Sequence, residues 1–181
     1  PVGLLLWVRH KTGKGFKAAA IGALCFFVGA LVLEQLLHRV IFTAFPLLSM
    51  SPLWYTVYGC LAAGIFEETA RLIGLRWLCK KDACVVTGFA YGIGHGGIEA
   101  VLLVGVSYLM MLAGIASSNM QTMQALAGFS ASVFWLAGIE RIFAITLHIA
   151  LSVLIWLVVT GRVSKWFYPL AILLHALTNV A

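Results

Sequence analysis

Apolar residues run in long blocks, and short polar stretches between them carry most of the charge. The blocks fall at about residues 18–43, 53–79, 84–113, 137–160 and 167–181. A membrane-spanning helix needs about 20 such residues. The pattern therefore predicts an all-α, polytopic transmembrane helix bundle in a single domain, 1–181, with about five full or nearly full spans. Proline punctuates it: Pro46 and Pro52 bracket the first turn, and Pro169 sits in the first turn of the last helix. Pro1 to Trp7 is apolar and precedes charge, the reverse of a signal peptide, so it reads as the tail of a clipped span. The last run is still apolar at Ala181, so both ends read as truncated.

Composition agrees. Hydrophobic residues are 62% and charged residues 10% of the chain, against roughly 45–50% and about 25% in soluble domains. A soluble globule, a disordered chain and a disulfide scaffold are excluded. The net charge of +6 invites a nucleic-acid reading, but its placement argues against one. Arg9, Lys11, Lys14 and Lys17 form one cluster; Arg76, Lys80 and Lys81 a second; Arg162 and Lys165 a third. Loops 9–17, 76–82 and 161–166 are basic, while 44–52 and 114–136 are uncharged. That alternation places the basic loops in the cytoplasm and the other two outside, in a bacterial cytoplasmic membrane. Of the cysteines, Cys25 and Cys60 lie in apolar runs, and Cys79 and Cys84 lack the further ligands of a structural zinc site.

The misfits carry the chemistry. A charge at the bilayer centre costs roughly 2.5–3.5 kcal/mol even on the lenient insertion scale. Glu67, Glu68 and Arg71 nevertheless fall in the middle of the second full span, with His95, His148 and His175 at similar depth in three others. One polar site inside the bundle is the economical reading. Glu67 and Glu68 are i,i+4 and i,i+3 to Arg71, so the arginine reaches either. His95 and Glu99 are i,i+4, Arg141 and His148 two turns apart, and His175 and Asn179 i,i+4. Gly92 and Gly96 allow close helix packing and give the helix room to bend at His95. Glu34, His38 and Arg39 read as a snorkelling or paired group near the outer end of their helix. Glu140 and Arg141 read equally as a local surface pair or part of the site, and His148 as a strut or a functional group.

Two adjacent buried carboxylates beside one arginine suit a hydrolase that activates water. Glu67 is the candidate base with Glu68 in support, His95 a second holder of the water, and His175 and Asn179 donors to an oxyanion. No intramembrane Ser–His dyad, H-E-x-x-H run or aspartate pair competes; Asp82 is the only aspartate.

Glu67-Glu68-Thr69-Ala70-Arg71, Tyr91-Gly-Ile-Gly-His95 and His175-Ala-Leu-Thr-Asn179 resemble the EExxxR, FxxxH and HxxxN/D motifs of the CAAX-protease and bacteriocin-processing superfamily. The chain is most similar to its YhfC-like branch of glutamic-type intramembrane proteases, on the Gly92–Ala100 and Leu33–His38 runs, and also resembles the PrsW-like branch through Glu99. The resemblance implies an intramembrane endopeptidase acting on a membrane-associated peptide or protein, with catalytic Glu67, Glu68, Arg71, His95, His175 and Asn179. Glu99, Arg141 and His148 are secondary candidates. Arg71 stands one residue nearer the glutamates than in that pattern, and Tyr91 replaces the phenylalanine.

No cofactor is expected, because Arg71 one turn from the glutamates opposes a second cation. Zinc is the alternative, with Glu67, His95 and His175 as ligands. Two other functions use the same residues. One is a proton-coupled transporter, against which no internal repeat is found. The other is a non-catalytic scaffold, a role that the superfamily also includes. Haem ligation by His148 and His175 is a further alternative. The expected partners are membrane lipid and a peptide or membrane-protein substrate, with no nucleic acid.

Overall fold

The structure, a computed structural model, describes residues 1–79 and 84–180, with only the backbone of Cys79. Lys80, Lys81, Asp82 and the Cys79 side chain, all part of the predicted basic loop and cysteine pair, lie outside the described residues, as does Ala181. Every regular element described is helical. In order they are α1 Val2–Thr12, α2 Phe16–Ala44, α3 Pro46–Met50, α4 Pro52–Cys79, α5 Val85–Ala116, α6 Met120–Leu126, α7 Ala131–Val159 and α8 Phe167–Thr178. Two helices are interrupted by π-helical stretches, Phe27–Glu34 in α2 and Val101–Gly105 in α5.

The predicted spans match α2, α4, α5 and α7 with some displaced ends. Helix α7 starts six residues before the predicted 137, at Ala131. The clipped stub runs on to Thr12, so Arg9 and Lys11 sit on helix α1 rather than in a loop. It ends where Gly13 takes the left-handed conformation (φ 70°), which a side chain would resist, and Arg9 donates to the Gly13 carbonyl. Pro46 does not simply bracket a turn but opens the short α3, its ring sitting at the first helical position. The predicted outer loop contains α6, capped by Asn119 accepting from the Thr122 N–H at 3.0 Å. The last helix ends at Thr178, not 181, and its 12 residues extend about 18 Å, less than the bilayer core.

Helices α2, α5 and α7 are long and apolar enough to cross a membrane. Helix α4 has a similar length, 28 residues, but carries the charged cluster. The surface is apolar in keeping with this: Trp77, Trp135 and Phe143 are each at least 70% exposed. Glu68, Arg71 and His95 are fully buried. A molecule greasy outside and charged inside suits lipid as its solvent.

The glycine-rich half of α5 lies at the centre, packed against α2 and α7, while α4 packs against α8, α7 and α2. Close approach rather than bending explains the glycines. A Cβ on Gly94 would fall 1.9 Å from the Ala19 carbonyl oxygen of α2, and one on Gly92 2.5 Å from the Ile149 Cα of α7. Helix α5 stays regular through His95, so the predicted bend is not there; its irregularity begins at Val101. Leu75, Ala90, Tyr91, Leu151, Ile155, Trp156 and Ala171 form a buried, largely apolar core.

Candidate active site

Glu67, Glu68 and Arg71 lie near the middle of α4, about 22 Å from its start at Pro52 for Glu67. A helix turns 3.6 residues per turn, so adjacent glutamates point about 100° apart. They accordingly find different partners. Glu68 accepts from Arg71 and, at 2.7 Å, is bonded to His175 Nδ1 from α8. Glu67 turns to α5, where its Oε2 is 2.9 Å from His95 Nε2, and its Oε1 is 3.7 Å from His175 Nε2. Arg71 spends its other amino group on His148 of α7, Nη2 to Nδ1 at 2.7 Å. Helices α4, α5, α7 and α8 thus converge through one set of side chains.

His95 is fixed by packing as well. Phe26 of α2 meets its ring edge-on at 5.3 Å, and Tyr91 stacks at 6.0 Å. His148 lies 5.0 Å from His95 and 5.2 Å from His175 between ring centres.

A second layer joins at His148. Its Nε2 is 2.6 Å from Glu99 Oε2, a close contact rather than an aligned hydrogen bond. Glu99 accepts from Arg141 Nη1 at 2.8 Å, and Arg141 also pairs with its neighbour Glu140. Glu99 therefore bridges Arg141 and His148, the two-turn pair of α7, instead of serving His95 one turn away. Arg141 is both half of a surface pair and an anchor of the inner network.

Asn179 is not brought in. It follows the last residue of α8, is exposed, and makes no described side-chain hydrogen bond to the cluster. One residue was missed. Glu34, read as snorkelling at a helix end, is 6% exposed and lies within electrostatic range of Glu67 and His175. Its signal was the i,i+4 spacing to His38 and the Leu33–His38 run; the π-helical stretch that carries it left no mark on the hydrophobic pattern. Beside the cluster, not in it, a groove of ≈ 520 Å³ opens between α2 and α4, lined by apolar residues including Val28, Phe66 and Trp77.

The donors fit a divalent metal. Glu67, His95 and His148 each offer a ligand atom within 4.8 Å of the others, a carboxylate–imidazole set of the kind zinc takes. Glu68 Oε2 and His95 Nδ1 are buried polar atoms with no hydrogen-bond partner among the described residues, which leaves the cluster capacity to hold water or a further group. The Arg71 guanidinium, whose charge argues against a second cation, lies against Glu68 and His148, while the hydrogen-bonding and ion-pair partners described for Glu67 are the imidazoles of His95 and His175.

The family described as "YhfC intramembrane metalloprotease" matches residues 1–181. The chain is 38% identical over 200 residues to the "Uncharacterized membrane protein YhfC" of Bacillus subtilis (strain 168), covering 99% of this chain and 77% of that one. No solved structure matches.

Proposed function

Because the chain belongs to the YhfC family of intramembrane metalloproteases, we propose that it hydrolyses a peptide bond of a membrane-associated peptide or protein with a divalent metal at the Glu67 cluster. The observation that carries this reading is the carboxylate of Glu67, paired with no arginine or lysine among the described residues and faced by two imidazole Nε2 atoms at 2.9 and 3.7 Å.

Glu67 and His95 belong to either way of completing a ligand set. His148 gives the compact trio, but its Nδ1 already accepts from Arg71, so its Nε2 carries the proton. His175 has the better tautomer: Nδ1–H donates to Glu68 and the Nε2 lone pair stays free toward Glu67. We assign Glu67, His95 and His175 as the residues that would hold the metal. A divalent ion there supplies Lewis acidity to a water or carbonyl oxygen.

The chain's own groups do the rest. Glu67 offers a second oxygen to take the proton of the attacking water. Glu68, neutralised by Arg71, fixes the ring of His175. His148, steadied by Arg71 and Glu99, lines the wall between the two other histidines. Phe26 and Tyr91 keep bulk water off His95, which strengthens every charge interaction in the site.

Metal-free hydrolysis is the second reading, favoured by the 2.9 Å Glu67–His95 contact, itself a carboxylate–imidazole pair able to hold water. The two separate by elemental analysis of purified protein with a cleavage assay on wild-type and Glu67→Gln membranes. Stoichiometric zinc, with cleavage lost on chelation and restored by zinc, supports the metal reading. Cleavage that survives chelation in metal-free protein refutes it and leaves glutamate activation. No change in the membrane-protein fragments of wild-type cells relative to Glu67→Gln cells refutes proteolysis itself.

A further inference from the structure

Hydrolysis consumes one water per bond, and the cluster lies in the middle of helices whose outer surfaces are apolar. Water therefore needs a polar path from a membrane face. Three side chains outside the cluster mark one. Tyr58 Oη on α4 is 2.9 Å from His38 Nδ1 on α2. His38 Nε2 is 3.2 Å from Glu34 Oε1, one turn deeper on the same helix. Glu34 in turn is 6% exposed and ends the π-helical stretch by which α2 packs against α4, the helix that carries Glu67. Side-chain exposure falls along this line, from 19% at His38 to 8% at Glu34, 8% at Glu67 and 0% at His95.

The surroundings say what the opening faces. Phe42 stacks on His38 at 5.8 Å and on Tyr55 at 5.5 Å, and Tyr58 meets Phe42 edge-on at 5.5 Å. Tyrosines whose rings are apolar and whose hydroxyls are wet belong at the membrane–water interface. Tyr58 is about 14 Å along α4 from Glu67, and the short helix α3 lies just beyond. A carboxylate and an imidazole in contact would each be costly against lipid, so the partly open side of this group is wetted by water. The π-helical stretch Phe27–Glu34 ends at Glu34, a form of helix that recurs at functional sites.

We propose that Glu34, His38 and Tyr58 form the hydrated mouth through which water reaches Glu67 from the membrane face bearing helix α3. The need for water rests on the hydrolytic reading above; the path itself does not. The test is thiol accessibility in the full chain, with the four native cysteines replaced, using a charged, membrane-impermeant methanethiosulfonate. Glu34→Cys is expected to react from the side that labels Ser49→Cys, at least about 10-fold faster than Leu33→Cys on the apolar surface, since the reactive thiolate forms only where water reaches. Adding His38→Leu should slow Glu34→Cys labelling by about 10-fold or more by sealing the mouth. A smaller ratio to Leu33→Cys, labelling from the side of Lys14→Cys, or indifference to His38→Leu overturns the proposal. Where Glu34→Cys fails to insert, His38→Cys is read against Leu33→Cys by rate and by side of labelling, and a ratio below about 10-fold or labelling from the side of Lys14→Cys overturns the proposal. Labelling needs no turnover, so failure of the protease reading leaves this result standing.

Discussion

Replacing Arg71 by methionine removes the one cation buried among two glutamates and three histidines while keeping most of the volume. Arg71 and Glu68 both have 0% side-chain exposure. At a separation of about 4 Å and an effective dielectric near 20 their attraction is about 4 kcal/mol. Most of that does not hold the bundle together, because the pair is i,i+3 on α4 and survives when helices separate within the bilayer. Two other effects remain. The interhelical hydrogen bond to His148 is lost, worth about 0.6 kcal/mol on average and up to about 1.7 in membrane proteins. Glu68 is also stranded with His175 as its only described partner, and breaking a buried pair costs about 3–5 kcal/mol. Arg71→Met should therefore lose about 3–5 kcal/mol. Glu68→Gln with Arg71→Met strands no charge and should come back to within about 2 kcal/mol of wild type. Reversible unfolding in mixed micelles, followed by the fluorescence of the six tryptophans, gives the cycle. A double variant as unstable as the sum of the two single ones would refute the reasoning, since it would mean that the charges act independently.

Glu67→Gln and His95→Ala should each lower cleavage by more than about 10³-fold while the protein stays folded in detergent, since each removes either a group that would hold the metal or one that handles the reacting water; activity within tenfold of wild type would remove them from the chemistry. Gly94→Ala should destabilise by at least about 1–3 kcal/mol, because its Cβ would fall 1.9 Å from the Ala19 carbonyl, whereas Gly138→Ala, with nothing within 4 Å, should be neutral or stabilising in the same unfolding assay. Asn179→Ala should lower the cleavage rate by less than about 10-fold, given its exposed place beyond α8; a loss of about 10²–10³ would restore it as an oxyanion donor.

Length and hydropathy are local properties, and they were enough for the helices and the depth of the charges. Four spans and the mid-helix position of Glu67, Glu68 and Arg71 were legible because lipid punishes every misplaced charge. The family was legible too, since the three motifs keep their spacing within single helices. Partnership was not. Spacing along one helix says which residues share a face, never which helix that face meets. Glu99 was set beside His95 by i,i+4 spacing, yet α7 supplies its partners, His148 and Arg141. Arg71 could reach either glutamate by sequence; the docking of α8 and α5 gave Glu68 to Arg71 and Glu67 to the histidines. Glu34 needed the tertiary structure most. An inserted residue turns the following face by about 100°, and the π-helical stretch Phe27–Glu34 offsets the face of α2 without altering its apolar count. Only the packing of α2 against α4 and α5 brings that carboxylate in from the lipid side.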